Sequence, residues 1–260
     1  MFSRFTRAIV RPPAANFADG LTTVSLGAPD VSVALRQHAD YCAAVARLGC
    51  DVIVLPPDAR HPDSTFVEDT ALIVPGHGAL LTRPGAESRA GEVDSIATAL
   101  ATFFPTMSAV TAPATLDAGD VCEAGAHVFI GISHRTNTEG AGQLTAWLAQ
   151  FGITASTVDI REVAGILHLK SGIAAIEPRR LVLIEALADH PAFDGYDIVR
   201  VPAGEEYGAN CVRVNDVILT SAGQPELDAR LRGLGYTLEV LDMSEYRKMD
   251  GGLSCLSLRF

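Results

Sequence analysis

Apolar and polar positions along this chain follow a pattern that returns five times. Each copy is an apolar run, a short Gly-rich or polar turn, a second apolar run, a stretch with apolar residues three and four apart, and a short β-branched run. The first complete copy reads TALIV, PGHG, ALLT, then EVDSIATALATFF and MSAVTAP. The second reads DVCEA, GAH, VFIGI, TEGAGQLTAWLAQFG and TASTVDI. The third reads SGIAAI, EPRR, LVLIEAL, a short ADHPAF and DIVRVPA, and the fourth CVRV, ND, VILT, QPELDARLRGLG and YTLEVLDM. A fifth is divided between the ends: GGLSCLSLRF at one, and RAIVRPP, VSVALRQHADYCAAVARLG and CDVIVLPP at the other. Spacing of three and four predicts the helices; β-branched density with flanking turns such as Asn215-Asp216 predicts the strands. Copies begin near residues 69, 120, 171, 211 and 254, and recurrence at such a period marks a repeat architecture. Five ββαβ units, the last completed by the N-terminus, predict a closed ring. No Pro- or Ser-rich linker interrupts it, so 1–260 reads as one domain.

Polar residues stand just before the first strand of each copy: Glu68-Asp69, Asp117 with Asp120, His168, Asn210 and Cys255. Around a pseudo-symmetry axis these positions converge, and a carboxylate cluster, a histidine and a thiol then share one cavity. Singly, each has a plainer reading. A histidine between apolar residues, as in GILHLKSG, is ordinarily a satisfied core residue. Asp117 and Asp120 serve equally as turn caps, and Asp63, after a proline, as a turn residue. A lone cysteine is usually a small buried hydrophobe. Glu68-Asp69 differs, because it lies between Phe66-Val67 and a strand, and carboxylates entering a core demand a cationic partner.

Composition narrows the classes. Of 260 residues, 48% are hydrophobic and 20% charged, which excludes a disordered chain. No run approaches the ~18 apolar residues of a membrane-crossing helix. The start, MFSRFTRAIVRPP, lacks the apolar segment of a signal peptide. Cys42, Cys50, Cys122, Cys211 and Cys255 show no C-x-x-C spacing, so neither a disulfide framework nor a metal site is expected, and a reduced, cytoplasmic protein is. Net charge is −11 with no basic run, which argues against nucleic acid. The acidic balance suits a small cationic ligand, or simply solubility.

FVEDTALI, TLDAGDV, SHRTNTEG, LHLKSG, ANCVRVN and the ending GGLSCLSLRF together resemble the dimethylarginine dimethylaminohydrolases, members of the guanidino-group-modifying superfamily with a five-bladed α/β-propeller fold. The resemblance covers the whole chain. It implies hydrolysis of Nω-methylated arginines to citrulline, without cofactor. Cys255 is implied as nucleophile, His168 as general acid and base, and Asp117 as the acid that orients the histidine. Asp63, Glu68 and Asp69 match carboxylates of the binding pocket. Arg89 and Arg135 match arginines for the substrate α-carboxylate. Leu21 matches a loop residue that contacts the ligand through its backbone, and Met249 a further backbone contact. The implied partner is a small cationic amino acid; membrane and nucleic acid are not implied, and a homodimer is left open.

A thiol among carboxylates is expected to titrate high in the free enzyme, and a cationic substrate beside it to lower that pKa. Two alternatives remain: a deiminase acting on another guanidine substrate, and a non-enzymatic binding protein of the same fold. A zinc enzyme is disfavoured, because His168 and Cys255 lack third and fourth ligands at suitable spacing.

Overall fold

The structure is a computed structural model that describes residues 4–260; the first three residues, part of the 1–260 reading and of the MFSRFTRAIVRPP start, lie outside the described residues. Near the N-terminus, β1 (Arg7–Val10), helix α1 (Val31–Arg47) and the parallel strand β2 (Asp51–Val54) follow one another. Helix α1 starts where Asp30 accepts the N–H groups of Ser32 and Val33, at 2.8 and 3.2 Å, and it buries Ala34, Tyr41, Ala44 and Val45 along one face.

The next unit is β3 (Ala71–Val74), β4 (Gly78–Leu81), α2 (Glu92–Leu100) and β5 (Met107–Ala109). β3 is antiparallel to β4, with Leu72 opposite Leu80, and β4 is parallel to β5, with Leu80 opposite Ser108. A tight turn suffices for the first pairing, whereas the parallel one needs a crossover, which the helix supplies. The pattern repeats in β6 (Val121–Ala124), β7 (His127–Ile132), α3 (Thr138–Ala149) and β8 (Thr154–Asp159). It repeats again in β9 (Ile173–Glu177), β10 (Arg180–Leu183), α4 (Glu185–Ala188) and β11 (Asp197–Arg200). The fourth copy is β12 (Val212–Val214), β13 (Val217–Ser221), α5 (Pro225–Gly233) and β14 (Thr237–Leu241), followed by a short α6 (Ser244–Arg247). Finally β15 (Ser257–Arg259) pairs antiparallel with β1, so both ends of the chain build one sheet.

The third copy departs from the expected pattern. LVLIEAL was expected as one strand, but the strand ends at Leu183 and Glu185–Ala188 turns into a helix. Glu, Ala and Leu favour that conformation. ADHPAF contributes only a single 3-10 turn at Pro191–Phe193.

Five three-stranded sheets result, and the first strands of neighbouring sheets touch (β15 with β3, β6 with β9, β9 with β12), which makes them the inner wall. The molecule is a five-bladed α/β-propeller. Every first strand is entered through one 3-10 turn: Val67–Thr70, Ala118–Asp120, Leu169–Ser171, Glu206–Ala209 and Ser254–Leu256. Polar side chains stitch these turns around the axis. Asp69 accepts the Gly119 N–H at 2.8 Å and Asp120 the Leu169 N–H at 2.9 Å. Asn210 donates to the Lys170 carbonyl at 2.8 Å and accepts the Ser254 N–H at 3.0 Å. Arg259 reaches Glu68 at 3.3 Å and closes the circuit.

Candidate active site

Three of the junctions, at Asp69, His168 and Cys255, face one cavity, lined by Leu21, Asp63, Phe66, Asp69, Arg89, Arg135, Leu167, His168, Met249, Asp250, Gly251 and Cys255; Asp120 and Asn210, expected to converge there, do not line it. Nine of the ten residues singled out from the sequence meet there or bond directly to its lining. Eight line it; Asp117 is fully buried behind His168, its Oδ2 3.1 Å from Nε2 of that ring. Asp117 is itself fixed, because its Oδ1 accepts the Gly85 N–H at 2.8 Å and its own N–H donates to Thr136 at 3.1 Å.

Glu68 does not line the cavity. It sits in the same turn as Asp69, with Oε1 2.7 Å from Lys170 and 3.3 Å from Arg259, while Oε2 is buried without a partner. These are the cations that the sequence required for this carboxylate, but only the fold shows which ones. Lys170 stood in view within LHLKSG; nothing in the sequence ties Arg259 to a residue 191 positions away.

The two candidate arginines are held differently. Arg89 is buried, and its fork donates to Asp69 at 2.6 Å, to Glu92 at 2.8 Å and to the Phe66 carbonyl at 3.1 Å. Removing one member of such a buried charge cluster typically costs about 3–5 kcal/mol. Arg135 is less committed: its side chain is 14% exposed, it lies 3.7 Å from Asp117, and its Nη1 is buried with no hydrogen-bond partner. An orphaned guanidinium nitrogen beside a cavity suits an anionic ligand group.

Charge sets the protonation states. Burial opposes the charged form of His168, but Asp69, Asp120 and Asp117 outweigh it and push the imidazole up to about 9. Burial also works against the Asp69 carboxylate, yet His168 and Arg89 hold it at about 2. The Cys255 thiol is pushed up to about 12, first by burial and then by Glu68 and Asp69, with the Gly252 N–H and Lys170 acting in the other direction. Repulsion by carboxylates was the expected cause; loss of solvent is the larger one.

Gly119 lets these groups meet. A Cβ there would stand 2.6 Å from Asp69 Oδ1 and 2.9 Å from His168 Nδ1. Leu21 is 41% exposed, and its N–H bridges both oxygens of Asp63, each at 3.1 Å. Met249 is buried, its N–H donating to Tyr246 at 2.9 Å.

Asp69, Asp117 and His168 bring ligand atoms within 4.8 Å of one another, a spacing that a metal ion could use. Their surroundings do not fit one. Asp69 already holds the Arg89 guanidinium, Asp117 is bonded to His168 and the Gly85 N–H, and a protonated His168 has no ring lone pair to offer an ion. All five cysteines are free thiols.

No family model matches the chain. The dimethylarginine dimethylaminohydrolase of Pseudomonas aeruginosa is 43% identical, over 98% of this chain and 100% of its own. That of Streptomyces coelicolor is 35% identical, over 97% and 96%. Among solved structures, a cysteine-to-serine mutant of the Pseudomonas aeruginosa enzyme in complex with citrulline superposes with a TM-score of 0.95 at 42% identity, covering 99% of this chain and 100% of that one. The N-terminal domain of a cyanobacterial arginine dihydrolase shares the fold, with a TM-score of 0.86, at only 18% identity. Identity of this extent, end to end, together with the five-bladed ring, shows that the chain belongs to the dimethylarginine dimethylaminohydrolase family.

Proposed function

We propose that the chain hydrolyses Nω-methylated arginines to citrulline and the corresponding methylamine, with Cys255 as nucleophile and His168 as the proton carrier. The observation that carries this reading is that one cavity gathers a thiol, a histidine held by a buried aspartate, an ion-paired carboxylate and an arginine with an unpartnered nitrogen. Relatives of this chain include the Pseudomonas aeruginosa enzyme, seen with citrulline, and a histidine-to-glycine variant of a dimethylarginine dimethylaminohydrolase, seen as an adduct with S-methyl-L-thiocitrulline.

A guanidinium carbon is a poor electrophile because its charge is shared over three nitrogens, and a thiolate nucleophile divides the displacement into two easier steps. In this reading the substrate cation settles beside the lining carboxylates Asp63 and Asp69, with Glu68 adding its charge from behind the wall, favours the Cys255 thiolate, and the thiol proton leaves to solvent. Sulfur bonds to the guanidinium carbon. His168, an imidazolium at neutral pH, gives its proton to the dimethylamine nitrogen as the C–N bond breaks, leaving a thiouronium on Cys255. Neutral His168 then takes a proton from water, the hydroxide adds to carbon, and the C–S bond breaks as the hydroxyl proton passes to the departing sulfur, releasing citrulline and restoring the Cys255 thiol. Asp117 keeps Nε2 protonated and Nδ1 free for these transfers.

Arg135 receives the substrate α-carboxylate as the uncommitted guanidinium, and Arg89 adds its charge through the same wall. Leu21 and Met249 close the sides. A mechanism needing a free thiol suits a reducing, cytoplasmic setting and a single catalytic domain over 1–260. Acid-quenching the enzyme during turnover of asymmetric dimethylarginine, then measuring peptide masses, tests the assignment. A thiouronium adduct on the peptide containing Cys255 supports it, and the adduct on another residue overturns it.

A further inference from the structure

Residues 21–28 form an exposed loop that contributes Leu21 to the catalytic cavity. The same loop lines a wider neighbouring cleft with Val24, Ser25 and Leu26, and the two spaces share Leu167, Asp250 and Gly251. The loop therefore borders both spaces, and Asp250 stands in the wall between them. Among the described residues, the loop's hydrogen bonds to the body reach three places. The Leu21 N–H goes to Asp63, and the Thr22 hydroxyl to the Lys248 carbonyl at 3.0 Å. Thr23 makes two bonds to one carboxylate: its N–H to Asp250 Oδ2 at 2.5 Å and its hydroxyl to Asp250 Oδ1 at 3.1 Å.

Asp250 is held at a φ of +55°, one of two non-glycine residues in the left-handed region among the described residues. A side chain there is disfavoured, and two glycines follow immediately, so a glycine would serve the backbone better. Its carboxylate is the reason for a side chain at this position. We propose that Asp250 is a positioning residue that latches the loop shut over the substrate through Thr23, and so sets how tightly the methylarginine is held. The proposal rests on the hydrolase reading for its substrate, but the latch itself does not.

Three variants test it. Asp250→Gly removes the carboxylate while relieving the backbone, Thr23→Pro removes both donors from the exposed side of the pair, and Asp250→Asn keeps an acceptor for the N–H and tolerates the same φ. Two readouts are needed, each with the melting temperature as control: KM and kcat for asymmetric dimethylarginine, and the rate at which iodoacetamide alkylates Cys255 without substrate, followed by mass spectrometry. Asp250→Gly and Thr23→Pro should raise KM about ten-fold with a smaller change in kcat, and speed alkylation several-fold, while Asp250→Asn restores both toward wild type. Wild-type KM and alkylation rate in both Asp250→Gly and Thr23→Pro overturn the latch. If the wild-type chain turns over no methylarginine, the hydrolase reading fails and the alkylation rates alone decide the latch. If Asp250→Gly does not fold, Thr23→Pro carries the same comparison from outside the body of the protein.

Discussion

The protonation state of the resting site follows from which charges surround each group. With the thiol pushed up to about 12 and the imidazole up to about 9, the free enzyme holds a neutral Cys255 beside a charged His168. The thiolate has to be brought out by the substrate's own charge. Titrating thiolate absorbance, with Cys255→Ser subtracted to remove the other cysteines, should show no Cys255 inflection below an ordinary thiol's ~8.5, and a downward shift on adding a guanidinium ligand. An inflection below about 7 in free enzyme would contradict this. Gly119 is the second residue-level test. Gly119→Ala forces a methyl group against Asp69 and His168; overpacking of this kind costs about 1–3 kcal/mol, and a displaced catalytic group about a hundred-fold in rate. Unchanged melting temperature and turnover in that variant would remove the argument. At this scale the sequence was informative where a residue type is chemically unusual in its place, as with Glu68-Asp69 ahead of a strand. Thr23 and Asp250 were silent, because nothing local relates positions 227 residues apart.

Local signals carried the elements well, and their limits are equally physical. Helical spacing marked α1, α2, α3 and α5, and alternating β-rich runs with turns marked the sheets. The one-turn α4 escaped because four residues hold barely one period of a helix. Junction turns were invisible as 3-10 turns for the same reason, although their polar residues were conspicuous. Those residues do two jobs, and Asn210 illustrates the structural one. It bonds the Lys170 carbonyl and the Ser254 N–H, linking three junctions. Asn210→Ala leaves both backbone groups unsatisfied at about 1–3 kcal/mol each, so the melting temperature should drop by roughly 5–10 °C. A drop of a degree or less would mean that this stitching is incidental.

Across the whole molecule the ring is closed by its ends, since β15 lies against β1 and Arg259 against Glu68. That closure was legible in the sequence only because a fifth copy was incomplete at both termini. The charge network also gives the fold a pH dependence of definite sign. His168 titrates higher folded than its ordinary 6.5, so its contribution is complete below that pH and is lost as pH rises through about 9. Asp69 titrates lower folded than its ordinary 3.8, so its contribution is present above that pH and is lost as pH falls through about 2. The melting temperature should therefore decline between pH 6.5 and about 9, and His168→Asn should flatten the decline. An equal slope in the variant would place the titrating group elsewhere.

The central claim is tested most directly by citrulline release from asymmetric dimethylarginine, run with arginine in parallel and with Cys255→Ser as the blank. Citrulline and dimethylamine in equal amounts from the methylated substrate, abolished in the variant, is the predicted result. Undiminished turnover in Cys255→Ser, or citrulline from arginine alone, would contradict it.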